Sequence, residues 1–289
     1  MRTFSKLLVL LCISSFGYSQ NFHIGVAGGL SNYQGDLIDK YYDPRQSHGH
    51  FGVIVNYELA DQFMLRGGFT FAKVSGNDRF SSKNVLQMRN LSFESKIQEL
   101  SLTGEFYINN LYYRRYSPYI FGGVALFHFN PYTFDSAGSK VFLKPLSTEG
   151  QGLAGYKQKP YSLLQVSFPF GAGIKYALTD NIRIGAEVGF RKTFTDYLDD
   201  VSTSYADPND LLNAKGAQSV SLAYRGDEVA GGNPIYPAKG EQRGGEQFKD
   251  LYYFSGLNIT FRIGGNKAGS EKGWFRSRKS KENCPPVPL

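Results

Sequence analysis

Cysteine, methionine and tryptophan are scarce in this chain of 289 residues, which holds two, three and one of them. The cysteines are Cys12 and Cys284, and Cys12 lies in an N-terminal segment that reads as removable, so Cys284 has no partner left in the chain. Long apolar runs are missing too. After residue 20 nothing approaches the ~20 consecutive apolar residues of a spanning helix. If the chain enters a membrane, it crosses as a closed β-barrel, the other structure that satisfies its own backbone in lipid. A basic field is also lacking. The net charge is +7, but the N-terminal segment carries +2 and the region from Gly264 onward +4, leaving a nearly neutral body at +1. Nucleic acid is therefore an unsupported partner.

What the chain does have is Gly (33), Phe (23) and Tyr (20), a mix that favours an all-β fold with many turns. Its start reads as a secretory signal over residues 1–19: Arg2 and Lys6, the apolar run LLVLLCI, then Gly17 and Ser19 before a cut ahead of Gln20. Val9, Leu10 and Leu11 before Cys12 lack the small residues of a lipoprotein site.

The segment FGAGIKYALTDNIRIGAEVGFR, residues 170–191, is the clearest structural signal. It reads as two strands of period two around a short turn. Ile182, Ile184, Ala186, Val188 and Phe190 share one face; Arg183, Gly185, Glu187, Gly189 and Arg191 share the other. A wholly apolar face opposite charges interleaved with glycine suits lipid on one side and a narrow polar lumen on the other.

Eight strands are expected, at residues 22–30, 50–58, 63–74, 93–108, 119–129, 163–178, 182–192 and 251–263. Their connections run 19, 4, 18, 10, 33, 3 and 58 residues, a long–short alternation that fits an eight-stranded antiparallel up-and-down transmembrane barrel with long extracellular loops. An even strand count puts both termini at the short-turn, periplasmic end. The fifth strand, YIFGGVALFHF, is apolar on both faces and does not reveal its orientation. A soluble lipocalin-type barrel would also alternate, with the apolar face inward. The glycines oppose it: a solvated face needs no small residues, whereas a lumen filled by Arg, Lys and Glu needs room beside each. The domain plan is thus signal 1–19, barrel 20–263 and basic periplasmic tail 264–289.

Arg66, Glu99, Glu105, Lys175, Arg183, Glu187, Arg191 and Arg262 should point inward. An eight-stranded barrel is just wide enough for side chains to fill, and buried charges must pair. These eight read as a structural salt-bridge network. Glu99 and Glu105 lie six residues apart on one strand, about 20 Å, too far for paired acid–base work. His48 and His50 lack companions for a metal set, and His128 at a strand end has no readable triad. Gly150-x4-Gly155 is followed by Tyr156 where a phosphate loop needs Lys. Asp196, Asp199, Asp200, Asp207 and Asp210 lack calcium-loop spacing and read as a solvated loop. Residues 206–249 could be disordered or folded over the barrel mouth. No catalytic residue, cofactor or metal is expected.

The tail, GGNKAGSEKGWFRSRKSKENCPPVPL, is the segment most suited to a specific contact. It could be a disordered segment attracted to anionic lipid. Alternatively it is a docking peptide with Trp274 and Phe275 as anchors and Arg276, Arg278, Lys279 and Lys281 as charge contacts. Cys284, a lone cysteine in an oxidising compartment, could form an intermolecular disulfide.

Three segments, HIGVAGGLSNYQGDL (23–37), SFPFGAGIKY (167–176) and FTDYLDDVSTSY (194–205), resemble the DUF6089 or PorG-like outer-membrane barrels of Bacteroidota. With the strand pattern, the resemblance covers nearly all the mature chain. It implies a non-enzymatic component of a type IX secretion complex that associates with a periplasmic ring built by a lipoprotein and its partner. It supplies no catalytic residues. The competing expectation is a stand-alone OmpA-like barrel acting as adhesin or receptor through its surface loops; a pore or lipid-modifying enzyme is a weaker third.

Overall fold

The computed structural model describes residues 22–245 and 249–263. Ten strands are present: β1 (Phe22–Gln34), β2 (His48–Ala60), β3 (Phe63–Asn77), β4 (Ser92–Tyr107), β5 (Tyr116–His128), β6 (Pro131–Phe134), β7 (Lys140–Phe142), β8 (Leu164–Ala177), β9 (Ile182–Thr193) and β10 (Leu251–Ile263). Eight of them close into an antiparallel barrel. The order runs β3-β2-β1-β10-β9-β8-β5-β4, and β3 pairs with β4 to complete the ring. The eight-stranded up-and-down barrel expected from the alternation is the fold observed.

Alternation sets each strand's faces. Along β9, Ile184, Ala186, Val188 and Phe190 are exposed, while Arg183, Gly185, Gly189 and Arg191 are buried. The same outward apolar surface continues through Ile24 and Val26, Phe51 and Val53, Phe69 and Phe71, Leu100 and Leu102. Ring pairs such as Phe22–Tyr57, Phe170–Phe190 and Phe190–Tyr253 sit toward the two ends of this surface, as aromatic girdles do at the two interfaces of a bilayer. In water so large an apolar exterior would be an aggregation hazard; in lipid it is the solvated face. The molecule is a transmembrane barrel of the outer-membrane type. The fifth strand's orientation follows from the ring: Tyr119, Phe121, Ala125 and Phe127 are buried, and Ile120, Val124 and Leu126 face out.

The first and last strands meet along thirteen paired residues, from Phe22↔Ile263 to Gln34↔Leu251. Their backbones approach closely at glycine. A Cβ on Gly29 would strike the Ser255 carbonyl, and one on Gly256 the Gly28 carbonyl. Gly29→Ala is expected to destabilise the refolded barrel by about 1–3 kcal/mol through overpacking of this seam. Urea titration in lipid vesicles measures it, and an unchanged midpoint would show that the seam tolerates a methyl group.

Several strands outrun their expected ends at the long-loop side. β1 continues to Gln34 and β3 to Asn77, because Tyr33↔Tyr252 and Asn77↔Ser92 still pair there. The connection between β5 and β8 contains the unforeseen hairpin β6–β7, joined to β4 at Glu94↔Tyr132. Its turn is built by Asp135, whose carboxylate accepts from the Ala137 and Ser139 amides, with Gly138 at φ 77°. Helices α1 (Asn84–Arg89), α2 (Pro208–Lys215) and α3 (Ala217–Ala223) lie in the loops. The described part of 206–249 is ordered structure over the barrel mouth. An apolar cluster of Tyr33, Phe93, Phe127, Phe129, Leu198 and Tyr252 joins this cap to the lumen.

Candidate functional site

The lumen is stacked in three polar layers, each supplied by inward positions of facing strands. Nearest the short turns, the Glu58 carboxylate accepts from Arg262 at 3.0 Å and from the Tyr112 hydroxyl at 2.6 Å, with His23 3.6 Å away. Tyr112 comes from the β4–β5 turn, and the Arg183 and Arg262 guanidinium groups lie 5.5 and 5.2 Å from its ring centre. In the middle layer Arg66 donates two parallel bonds of 2.9 Å to Glu187 and also pairs with Glu105. Asn258 donates to Glu187 at 3.0 Å, and the Tyr119 and Tyr107 hydroxyls bond to Glu187 and Glu105. Lys175 is buried 3.9 Å from Glu105. Toward the long loops, Arg191 donates to Glu99 at 3.2 Å, Tyr252 donates to the same carboxylate at 2.7 Å, and Phe254 lies under the Arg191 guanidinium.

All eight lumen residues named from the sequence therefore lie inside, in three groups rather than one. Glu99 and Glu105 belong to different layers. Glu58 and His23 were not named beforehand, although both lie on the inward side of strands whose outward side reads Phe51, Val53, Val55, Tyr57 and Phe22, Ile24, Val26. That alternation was the signal that could have found them. Trp274, Phe275, Arg276, Arg278, Lys279, Lys281 and Cys284 lie outside the described residues, as does the signal segment.

Above the lumen the cap has its own charged core. Arg243 donates to Glu149 at 3.0 Å, to the Asp200 carbonyl at 2.7 Å and to the Ala223 carbonyl at 3.1 Å. Arg89 grips Asp78 and the carbonyls of Asp36 and Arg243. The acidic stretch corrects the sequence reading: Asp196, Asp199 and Asp200 are buried rather than solvated. Tyr33 reaches Asp199 at 2.5 Å and Asp250 at 3.1 Å, while backbone amides of Val201 and Leu198 hold their other oxygens. Burial, then the charges of Asp250 and Asp36, push Asp199 well above the ordinary carboxylate range; burial, opposed by the Leu198 amide and reinforced by the charges of Asp196 and Asp36, does the same for Asp250. Burial raises Asp200 to about 6, opposed by Arg243. Asp207 instead caps α2, accepting from the Asn209 and Asp210 amides.

Among the described residues, no three His, Cys, Asp or Glu side chains are arranged to hold a metal ion. His48 bonds Ser75 at 2.8 Å, and His50 bonds the Leu30 carbonyl and stacks on Phe254. His128 faces outward at the end of β5, exposed.

Residues 1–145 match the family model described as a domain of unknown function, DUF6089. The chain belongs to this family. No curated protein matches the sequence. Among solved structures it is similar to Neisserial surface protein A, at 9% identity over 84% of this chain and 97% of that one, TM-score 0.41. It is similar to the attachment invasion locus protein Ail of Yersinia pestis, solved with the heparin analogue sucrose octasulfate, at 12% identity over 84% and 98%, TM-score 0.40. It is also similar to the outer membrane protein OprG of Pseudomonas aeruginosa, at 11% identity over 86% and 99%, TM-score 0.39.

Proposed function

We propose that this DUF6089 barrel is a non-enzymatic, non-conducting outer-membrane component of a protein-secretion assembly of the type IX kind. One observation carries the reading: the lumen is filled by paired charges in three layers and roofed by an ordered cap. Such an interior leaves no route for cargo, so the work falls to the surfaces at the two ends. Short turns lie on the periplasmic side in barrels of this architecture, and β10 ends beside the start of β1 at Phe22↔Ile263 on that side. Residues 264–289 then follow from the periplasmic end. Their role is docking to a periplasmic ring lipoprotein, with Trp274 and Phe275 as anchors, the four cations Arg276, Arg278, Lys279 and Lys281 as charge contacts, and Cys284 as the possible covalent link.

The test is affinity capture from native membranes. A periplasmic lipoprotein should co-purify with the full chain, be lost on deleting 264–289, and run as a reducible adduct that Cys284→Ser abolishes. Capture that survives the deletion removes the tail from the reading, and steady conductance in planar bilayers would replace it with a pore. The ordered cap favours a second reading, a receptor or adhesin. In that case an external ligand is bound equally well by the chain without its tail.

A further inference from the structure

The outer face of β3 and β4 changes character in register as it rises toward the long loops. Phe69 lies opposite Leu100, Phe71 opposite Gln98, Lys73 opposite Lys96, Ser75 opposite Glu94 and Asn77 opposite Ser92. The first of these pairs belongs to the lipid belt. Two lysines then face each other directly, an unfavourable arrangement on a sheet. Glu94 offsets Lys73 at 2.8 Å, but Lys96 is exposed and has no ion pair or hydrogen bond among the described residues. An anion between the two would relieve the pair.

Directly above lies a cleft of about 170 Å³. It is lined by Arg45, His48, Phe80, Ser92, Glu94 and Phe134 among others. Arg45 lies 4.4 Å over the Phe80 ring, and the Phe134 ring is exposed. Hydroxyl, carboxylate, imidazole and guanidinium groups beside two aromatic rings match a sugar, which offers hydroxyls at its edge and an apolar C–H face. Lys140, over the Tyr132 ring at 3.6 Å, extends the positive rim beside Glu94.

We propose that the outer wall of β3–β4 is a binding site for a phosphorylated glycolipid of the outer leaflet. Its acyl chains lie on Phe69, Phe71, Leu100 and Leu102, its phosphate between Lys73 and Lys96, and its sugar in the cleft. One amphiphile satisfies the three zones in the order the two strands present them. A phospholipid leaves the cleft empty, and a soluble sugar leaves Lys96 without a counter-charge.

The probe is purified lipid A carrying its core sugars and phosphates, supplied in phosphatidylcholine nanodiscs holding the full chain. Retained glycolipid is counted by native mass spectrometry after detergent release. Lys96→Ala, which breaks no ion pair or side-chain hydrogen bond among the described residues, should lower retention about fivefold, and Lys73→Ala with Lys96→Ala about tenfold or more. Removing the phosphates from the lipid should reproduce the double variant's loss. Lys192→Ala, an exposed lysine on β9, should leave retention unchanged, and the heat-shifted gel mobility of folded barrels checks each variant. Retention by the double variant equal to the parent's overturns the site. So does equal displacement by phosphatidylglycerol, which would reduce the wall to a surface for any anionic lipid.

Discussion

Arg66→Met is expected to cost about 3–5 kcal/mol of barrel stability, read as a lowered urea midpoint in lipid vesicles. Among the described residues Arg66 is the only cation that bonds to both Glu105 and Glu187 in the middle layer, through the parallel pair on Glu187 and the contact with Glu105. Without it the two buried carboxylates keep neutral donors from Tyr107, Tyr119 and Asn258 but share Lys175 as their one cation in the layer, and Lys175 sits at ion-pair rather than hydrogen-bond distance from Glu105. The cost arises from stranding charge, not from losing attraction as such. Combining Arg66→Met with Glu187→Gln should therefore recover most of the loss, since Glu105 then keeps Lys175 as its counter-charge and no charge is stranded. Arg191→Met should cost less, because it strands one carboxylate, Glu99, rather than two. Additive losses in the double variant would mean that Arg66 and Glu187 do not act as one network.

The barrel was legible in the sequence wherever one face met lipid. Period two with charge and glycine opposite apolar residues located β9 and β10 almost to the residue, since lipid on one side and a crowded lumen on the other penalise any slip of register. β5 was not legible in the same way. Its lumen side is aromatic, with Tyr119 and Tyr107 stacked at 5.2 Å, so both faces look alike in one dimension. The cap was the least legible. Tyr33 sits in the Asn-Tyr-Gln-Gly-Asp stretch, and the carboxylate it bonds lies 166 residues away in Asp-Tyr-Leu-Asp-Asp. Each piece reads locally as a polar loop. Only the closure of the barrel brings them together, and burial then reverses what an aspartate-rich segment ordinarily means.

That reversal makes the cap pH-dependent. A carboxyl group whose pKa is raised by burial holds its proton more tightly in the closed cap than in the opened one. The closed state is thus favoured in acid, and the advantage is lost as pH rises from the ordinary carboxylate range of ~3.9. For Asp200, raised to about 6, the loss is complete above that pH and amounts to ~3 kcal/mol. Asp199 and Asp250 act in the same direction, because burial raises both carboxyls and they share the Tyr33 hydroxyl, which can donate to only one of them. A protonated Asp250 can donate to the Tyr33 oxygen while Tyr33 donates to Asp199; with both ionised, one carboxylate loses that partner. Amide exchange of 198–202, corrected for intrinsic rate, should show protection falling between pH 4 and 7. Asp200→Asn keeps one oxygen to accept from Tyr161, with its amide N–H turned to donate to the Thr148 hydroxyl oxygen, and should flatten the part of that slope below pH 6. Protection that rises with pH over the same interval would require these carboxyls to be stabilised as anions, which their burial opposes, and would reverse the assignment.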